Sequence, residues 1–250
     1  MRDIDDYSKE YLLQNDFELD YQVKYRRKKV LELLKNYPHN KILEIGCGME
    51  SVAKFFDDYA EYTIVEPSKQ FIQNAAKDVP KARFFHGLLE DVLPDMKKFS
   101  YDYVLISSLL HEVEKPSEFL HDVHQLCGTN TIIHINVPNA KSFHRLLAYE
   151  SGLIDSISAF SENNIRYQQH SVFDIVSLKG LIEDTLKYED GGVVFIDEGS
   201  YFIKPFTHHQ MEKCLNAKIF DAKVIEGFNR MIKYLPDYGS EIYVNYRIIQ

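Results

Sequence analysis

The chain has 250 residues, 45% hydrophobic and 27% charged. That is enough apolar material for one large core, and it excludes disorder along the whole chain. The formal net charge of −9 argues against a nucleic-acid partner, because phosphate binding needs clustered Lys and Arg. The three cysteines, Cys47, Cys127 and Cys214, have no paired spacing, so neither a disulfide framework nor a zinc signature is expected.

Met1 to Asp16 is charged and has no apolar h-region, so no signal peptide and a cytoplasmic location are expected. No apolar run is long enough to span a membrane. Residues 18–37 read as an N-terminal helix, with Val23, Val30, Leu31, Leu33 and Leu34 on its apolar face and Pro38 ending it. Its basic run, Lys24 and Arg26 to Lys29, reads as a solvated face, and Tyr21 and Tyr25 either as packing residues or as side chains that close over a bound ligand. Lys41 to Ile45 is a first strand closed by Gly46-Cys47-Gly48, and residues 51–57 a short helix. Tyr62 to Val65 is a second strand, followed by a helix to Lys77 that Ser68 caps. Further strands are expected at 82–85, 101–107 and 131–137, with a helix over 117–126. In that helix Phe119, Leu120 and Val123 form the buried side, and His121 and His124 a solvated one.

The second half is less regular. Helices are expected over 140–150 and 174–186, a polar turn-rich stretch over 151–170, and a strand near 192–196. Residues 207–236 look mostly helical, and 241–249 carry a strong strand pattern. Strands alternating with helices predict an α/β fold, a parallel sheet with helices on both faces. The chain divides into a cofactor-binding core over 40–198, a helical insertion over 199–238 and a last strand over 240–250, all within one domain.

The chemistry is concentrated in Leu43-Glu44-Ile45-Gly46-Cys47-Gly48. Glycines between a strand and a helix let backbone approach a ligand, and the helix start adds oriented N–H donors. Glu66 ends the next strand, where a carboxylate can accept from both hydroxyls of a ribose. Gly46, Glu66, Leu88 and Ser107 all fall at carboxyl ends of strands, where open α/β sheets bind ligands.

In these motifs the chain resembles class I S-adenosylmethionine methyltransferases over roughly residues 20–200. The resemblance implies a Rossmann-like seven-stranded sheet, mostly parallel, with an antiparallel C-terminal strand. It implies S-adenosylmethionine as cofactor, with Glu44, Gly46, Cys47 and Gly48 around its methionine part and Glu66-Pro67 at the ribose. Leu88, Leu89 and Glu90 would flank adenine, and Ser107 and Ser108 would close the same edge. Glu50 stands where the family often has a third glycine, and Leu88 where it often has an acid. Residues 137–145 and 202–206 are similar to stretches in methyltransferases of bacterial sugar and cell-surface polysaccharide pathways. The expected reaction is therefore O-methylation of a small-molecule acceptor of that kind, with N-methylation of a small amine as the alternative.

A hydroxyl acceptor needs a general base, and His111, following the fourth strand at the cofactor edge, is the first candidate. His144 and His170 are further candidates, each with a structural role as the competing reading. Arg145, Arg166 and Lys204 could hold an anionic acceptor, against the reading of ordinary surface charges. No metal is expected, since His208-His209 lacks a third ligand at useful spacing. A homodimer is left open. A nicotinamide oxidoreductase is the rival from another class, but Met49, Glu50 and Ser51 follow Gly48, so no GxGxxG forms. A non-catalytic cofactor-binding protein is the third reading.

Overall fold

The structure is a computed structural model that describes residue 4, residues 17–187 and residues 191–249. The charged N-terminal stretch therefore lies outside the described residues apart from Ile4, as does Gln250, the final residue of the expected last-strand range. The chain enters through a π-helical turn, Glu18–Gln22, which continues into α1, Val23–Leu34. The expected single helix is thus split, and it stops short of Pro38. Strand β1, Lys41–Ile45, leads through the glycine turn to a 3₁₀ turn, Val52–Phe55, and to β2, Glu61–Glu66. Helix α2, Lys69–Asp78, starts where the Phe71 N–H donates to Ser68 Oγ at 3.4 Å. Strand β3, Arg83–His86, is followed by α3, Leu89–Met96, a helix the sequence reading missed. It has only eight residues and contains Pro94, which masks the apolar spacing of Leu89, Leu93 and Met96.

Strand β4, Tyr103–Ser107, α4, Pro116–His124, and β5, Ile132–Pro138, complete the first half. Then come α5, Phe143–Glu150, α6, Glu162–Arg166, and α7, Ile175–Lys187. Strand β6, Gly192–Tyr201, is longer than expected, runs past residue 198 and has an irregularity between Phe195 and Asp197. Helices α8, His208–Asn216, and α9, Ala222–Arg230, precede β7, Glu241–Ile249.

The seven strands form one sheet in the order β3-β2-β1-β4-β5-β7-β6. The first five pair in parallel, and β7 runs antiparallel between β5 and β6. Alternation along β4 divides the core between the two faces. Val104 and Ile106 pack with residues of α3, α4 and α7, whereas Tyr103 and Leu105 pack with residues of α1 and α2. A third cluster joins Phe17 and Tyr25 to Phe202, Met211 and Ile225. His124 departs from expectation: it is buried, and its Nε2 lies 3.0 Å from the Tyr246 hydroxyl, because β7 passes under that end of α4. No helix among the described residues is long and apolar enough to cross a membrane.

Candidate active site

Strand order reverses between β1 and β4, so the turns after these strands diverge and leave a crevice at their carboxyl ends. Gly46 continues the ladder through its N–H to Val65 O at 2.8 Å and then leaves it at φ 76°. Gly48 also has a positive φ, 58°, so the turn needs two residues without a Cβ. A Cβ on Gly46 would approach Leu109 Cδ2 to 3.0 Å. Ser108 likewise sits at φ 56° after β4, and a non-glycine residue in that region marks a backbone held by its surroundings.

These turns enclose a cavity of about 350 Å³. Glu44, Gly46, Cys47, Gly48, Glu66, Pro67, Ser107 and Ser108 line it, so eight of the eleven residues expected at the cofactor meet there. Glu66 Oε1 accepts from Ser68 N at 2.8 Å and Oε2 from Gly48 N at 3.2 Å, so the carboxylate lies against the glycine turn itself. Burial pushes its pKa up to about 7, against the lowering effect of those backbone donors. The Cys47 thiol, raised by burial and then by Glu66, donates to the same carboxylate at 3.7 Å, which leaves it a packing group.

Glu44 also lines the cavity, yet its carboxylate accepts from Ser51 Oγ, from Val52 N at 3.0 Å and from Tyr62 OH at 3.1 Å. It is a brace for the turn that follows the glycines. The adenine expectations fare differently. Leu89 is 3% exposed in the core under α3, Glu90 is exposed, and neither they nor Leu88 line the cavity. The unforeseen α3 is the reason: residue 88 is its N-cap and 89 faces inward.

The missing third glycine is compensated. Glu50 pairs with Arg27 at 2.8 Å and with Lys54 at 2.6 Å, tying the turn to α1. Leu19, Val23, Arg26 and Arg27 from the first helical segment line the cavity, so this segment roofs it. The basic run read as solvated therefore supplies two cavity residues, while Tyr25 packs on Phe202 with ring centroids 4.6 Å apart. Glu112, which the sequence reading also passed over, belongs to the lining, as do Phe71 and Leu109. Glu18, Gln22 and Arg26 recur at spacing four along one helix face, and that polar stripe was the available signal.

His111 is buried, its Nε2 is 3.9 Å from Glu112 Oε1, and its carbonyl accepts from His170 N at 2.9 Å. Two base candidates are thereby joined through backbone, although the His170 side chain is exposed. Arg145 does not reach toward the cavity lining. Its guanidinium donates to Ile157 O at 2.7 and 3.0 Å and to Ala159 O at 2.6 Å, clamping the loop after α5. Arg166 is exposed on α6 with its guanidinium 5.7 Å from the Tyr167 ring centroid.

Lys204 and His144 belong to a second polar centre beyond β5. Arg26, on the cavity wall, bonds Glu241 Oε1 at 2.6 Å, and Glu241 accepts from Gln22 at 2.6 Å and from Asn136 at 3.1 Å. His208 Nδ1 meets Glu18 Oε2 at 2.8 Å. Lys204 is 5% exposed, and burial lowers its pKa to about 8 while Glu18 and Glu241 act in the other direction. Burial holds His144 well below the ordinary histidine range, and the charges of Lys204, His208 and Arg145 add to this. No group of three or more His, Cys, Asp and Glu suited to a metal occurs among the described residues.

A family model described as a methyltransferase domain matches residues 18–185. No curated protein matches the chain. Among solved structures, the plantazolicin methyltransferase BamL, crystallised with a triazolic desmethylPZN analog and SAH, superposes with a TM-score of 0.60 at 18% identity. That match covers 94% of this chain and 88% of the other. A SAM-dependent methyltransferase of Archaeoglobus fulgidus gives 0.51 at 17% identity, covering 94% and 100%. A Thermotoga maritima protein described as a possible histamine N-methyltransferase gives 0.56 at 14% identity, covering 91% and 89%.

Proposed function

Because the chain belongs to the methyltransferase family, as a class I S-adenosylmethionine-dependent enzyme, we propose that it transfers a methyl group to a hydroxyl of a small molecule. The acceptor class we favour is a sugar, a nucleotide-linked sugar or a precursor of cell-surface polysaccharide. The observation that carries the small-molecule reading is the size of the site: the glycine turn, Glu66 and the roof of Leu19, Val23, Arg26 and Arg27 line one cavity of about 350 Å³. A cavity of that size suits a ligand of modest size. The likeness of residues 137–145 and 202–206 to sugar-pathway enzymes supports the acceptor class.

The cofactor fits the residues present. The turn at Gly46 and Gly48 leaves room where any Cβ would intrude or strain the backbone. Glu66 offers a buried carboxylate to ribose hydroxyls, with Gly46 to Gly48 at the methionine end. When bound, the cofactor supplies an electrophilic methyl group on a sulfonium whose leaving group is a neutral thioether. The protein's part is to align the acceptor, exclude water and take the acceptor's proton. We assign that last role to His111, adjacent in sequence to the cavity-lining Glu112.

The test is incubation with S-adenosylmethionine and a panel of monosaccharides, nucleotide sugars and small amines, reading SAH release and a methyl mass gain on the acceptor. Transfer to a sugar hydroxyl is expected; transfer to an amine alone replaces the O-methyl reading. His111→Ala is expected to lower turnover at least about 100-fold with SAH affinity unchanged. An unimpaired rate moves the base elsewhere.

A further inference from the structure

The cofactor carries one anionic group at neutral pH, the carboxylate of its methionine part. The cavity walls do not obviously suit it. Among the described residues that line the cavity, Glu44, Glu50, Glu66 and Glu112 are acids, and Arg26 and Arg27 are the only lysine or arginine side chains. Like charges at short range repel, so a carboxylate brought among these acids needs a cation within reach. The two arginines are therefore the groups to compare.

Arg26 is committed to the fold. Its Nε donates to both carboxylate oxygens of Glu241, at 2.9 and 3.0 Å, and its Nη2 to Glu241 Oε1 at 2.6 Å. The Glu241 side chain is 2% exposed, so drawing Arg26 away would leave a buried carboxylate without its main counter-charge. Arg27 stands differently. Its Nη2 donates to Glu50 Oε2 at 2.8 Å, and its guanidinium carbon lies 3.5 Å from the centre of the Phe55 ring. The ring takes a face of the guanidinium, and Glu50 takes one of its five N–H donors. Among the described residues nothing else bonds Arg27, which leaves the donors on Nε and Nη1 for a ligand.

The position of Arg27 follows from the sequence on both sides of it. Val23 lies one helical turn earlier on α1 and lines the same cavity, so residue 27 falls on that face. Glu50 follows Gly48 by two residues, where a third glycine was looked for. Its bond to Arg27 therefore ties the guanidinium to the glycine turn, the part of the site assigned to the methionine end of the cofactor.

We propose that Arg27 holds the carboxylate of the cofactor's methionine part, with Glu50 and Phe55 fixing its guanidinium against the glycine turn. A planar guanidinium can meet a planar carboxylate through two parallel N–H donors, which an ammonium cannot reproduce. The backbone of the turn gives the cofactor room, and α1 supplies the positive charge that the turn lacks. The inference rests on the cofactor part of the reading above and on no particular methyl acceptor.

The test is calorimetry on the full chain with two ligands. One is SAH. The other is its decarboxylated analogue, the 3-aminopropyl thioether of adenosine, which differs only in lacking the carboxylate. The wild-type chain is expected to bind SAH at least about tenfold more tightly than the analogue. Arg27→Met is expected to weaken SAH by at least about tenfold and to leave the analogue within about twofold. Arg27→Lys is expected to recover part of the loss, as a point charge without the fork. Should Arg27→Met fail to fold, Arg27→Gln carries the same expectation. Equal loss for both ligands would make Arg27 a support of the roof alone and overturn the proposal, as would wild-type SAH affinity in the variant. A wild-type chain that binds neither ligand removes the cavity as the cofactor site, a different failure. Because the readout needs no turnover, failure to methylate any sugar removes only the acceptor class proposed above.

Discussion

Glu66 is the residue on which cofactor affinity is expected to turn. Its folded pKa of about 7 lies above the ordinary 4.5, so the native protein holds its proton longer than the unfolded chain does. Its contribution to stability is present below pH 4.5 and is lost as pH rises toward 7. Binding is expected to work in the opposite sense, because ribose hydroxyls would donate to the ionised carboxylate. SAH affinity is therefore expected to fall as pH drops below 7, by up to about tenfold per unit, with proton release on binding. Glu66→Gln is expected to flatten that dependence in calorimetry at pH 6 and pH 8, and Glu66→Ala to weaken binding by roughly 1–3 kcal/mol. Unaltered pH dependence in the Gln variant would show that another group titrates. This residue was legible from its place at the end of the second strand. Glu44 was legible only as a site residue; its use as a brace depends on Ser51 and Tyr62, which the chain brings round from either side.

Elements whose local signals agree were read correctly from pattern. Helix α2 has Ser68 at its N-cap and buries Phe71, Ile72 and Ala75 on one face, and β1 and β7 match their expected limits. Helix α8 carries a full capping box: Gln210 N donates to Thr207 Oγ1 at 3.4 Å and Thr207 N to Gln210 Oε1 at 3.1 Å. Thr207→Ala is expected to cost about 1 kcal/mol in denaturant unfolding and to speed hydrogen exchange over 208–216. Unchanged exchange there would mean that burial of Met211 alone holds the helix. Two elements resisted reading for physical reasons. Helix α3 is short and proline-bearing. The entry segment winds as a π-helix over Glu18–Gln22, where the sequence pattern predicts an ordinary helix.

At the scale of the molecule, the sheet does the positioning. Leu105 is fully buried at the centre of β4, between β1 and β5, and packs in the cluster that includes α1 and α2. Leu105→Ala is expected to destabilise the protein by about 2–5 kcal/mol, read from the urea midpoint. Because the cavity hangs on the ends of β1, β2 and β4, SAH should restore part of that loss by mass action. Retained stability in the variant would mean that the strand repacks around the gap.

The amino-acid sequence alone determined the α/β class, the run of strands, the glycine bend and the acid at the end of β2. These are local: each rests on spacing within a few residues, where backbone preference and burial periodicity act together. Tertiary structure alone decided the roof of the cavity and the polar centre behind it. Arg26 finds Glu241 across 215 residues, and Gln22 finds Ser240 across 218. No periodicity encodes such pairs. They form because β7 inserts antiparallel beside β5 and delivers its first residue under the entering helix. Among the described lysines Lys204 alone is buried there, and burial lowers its pKa to about 8.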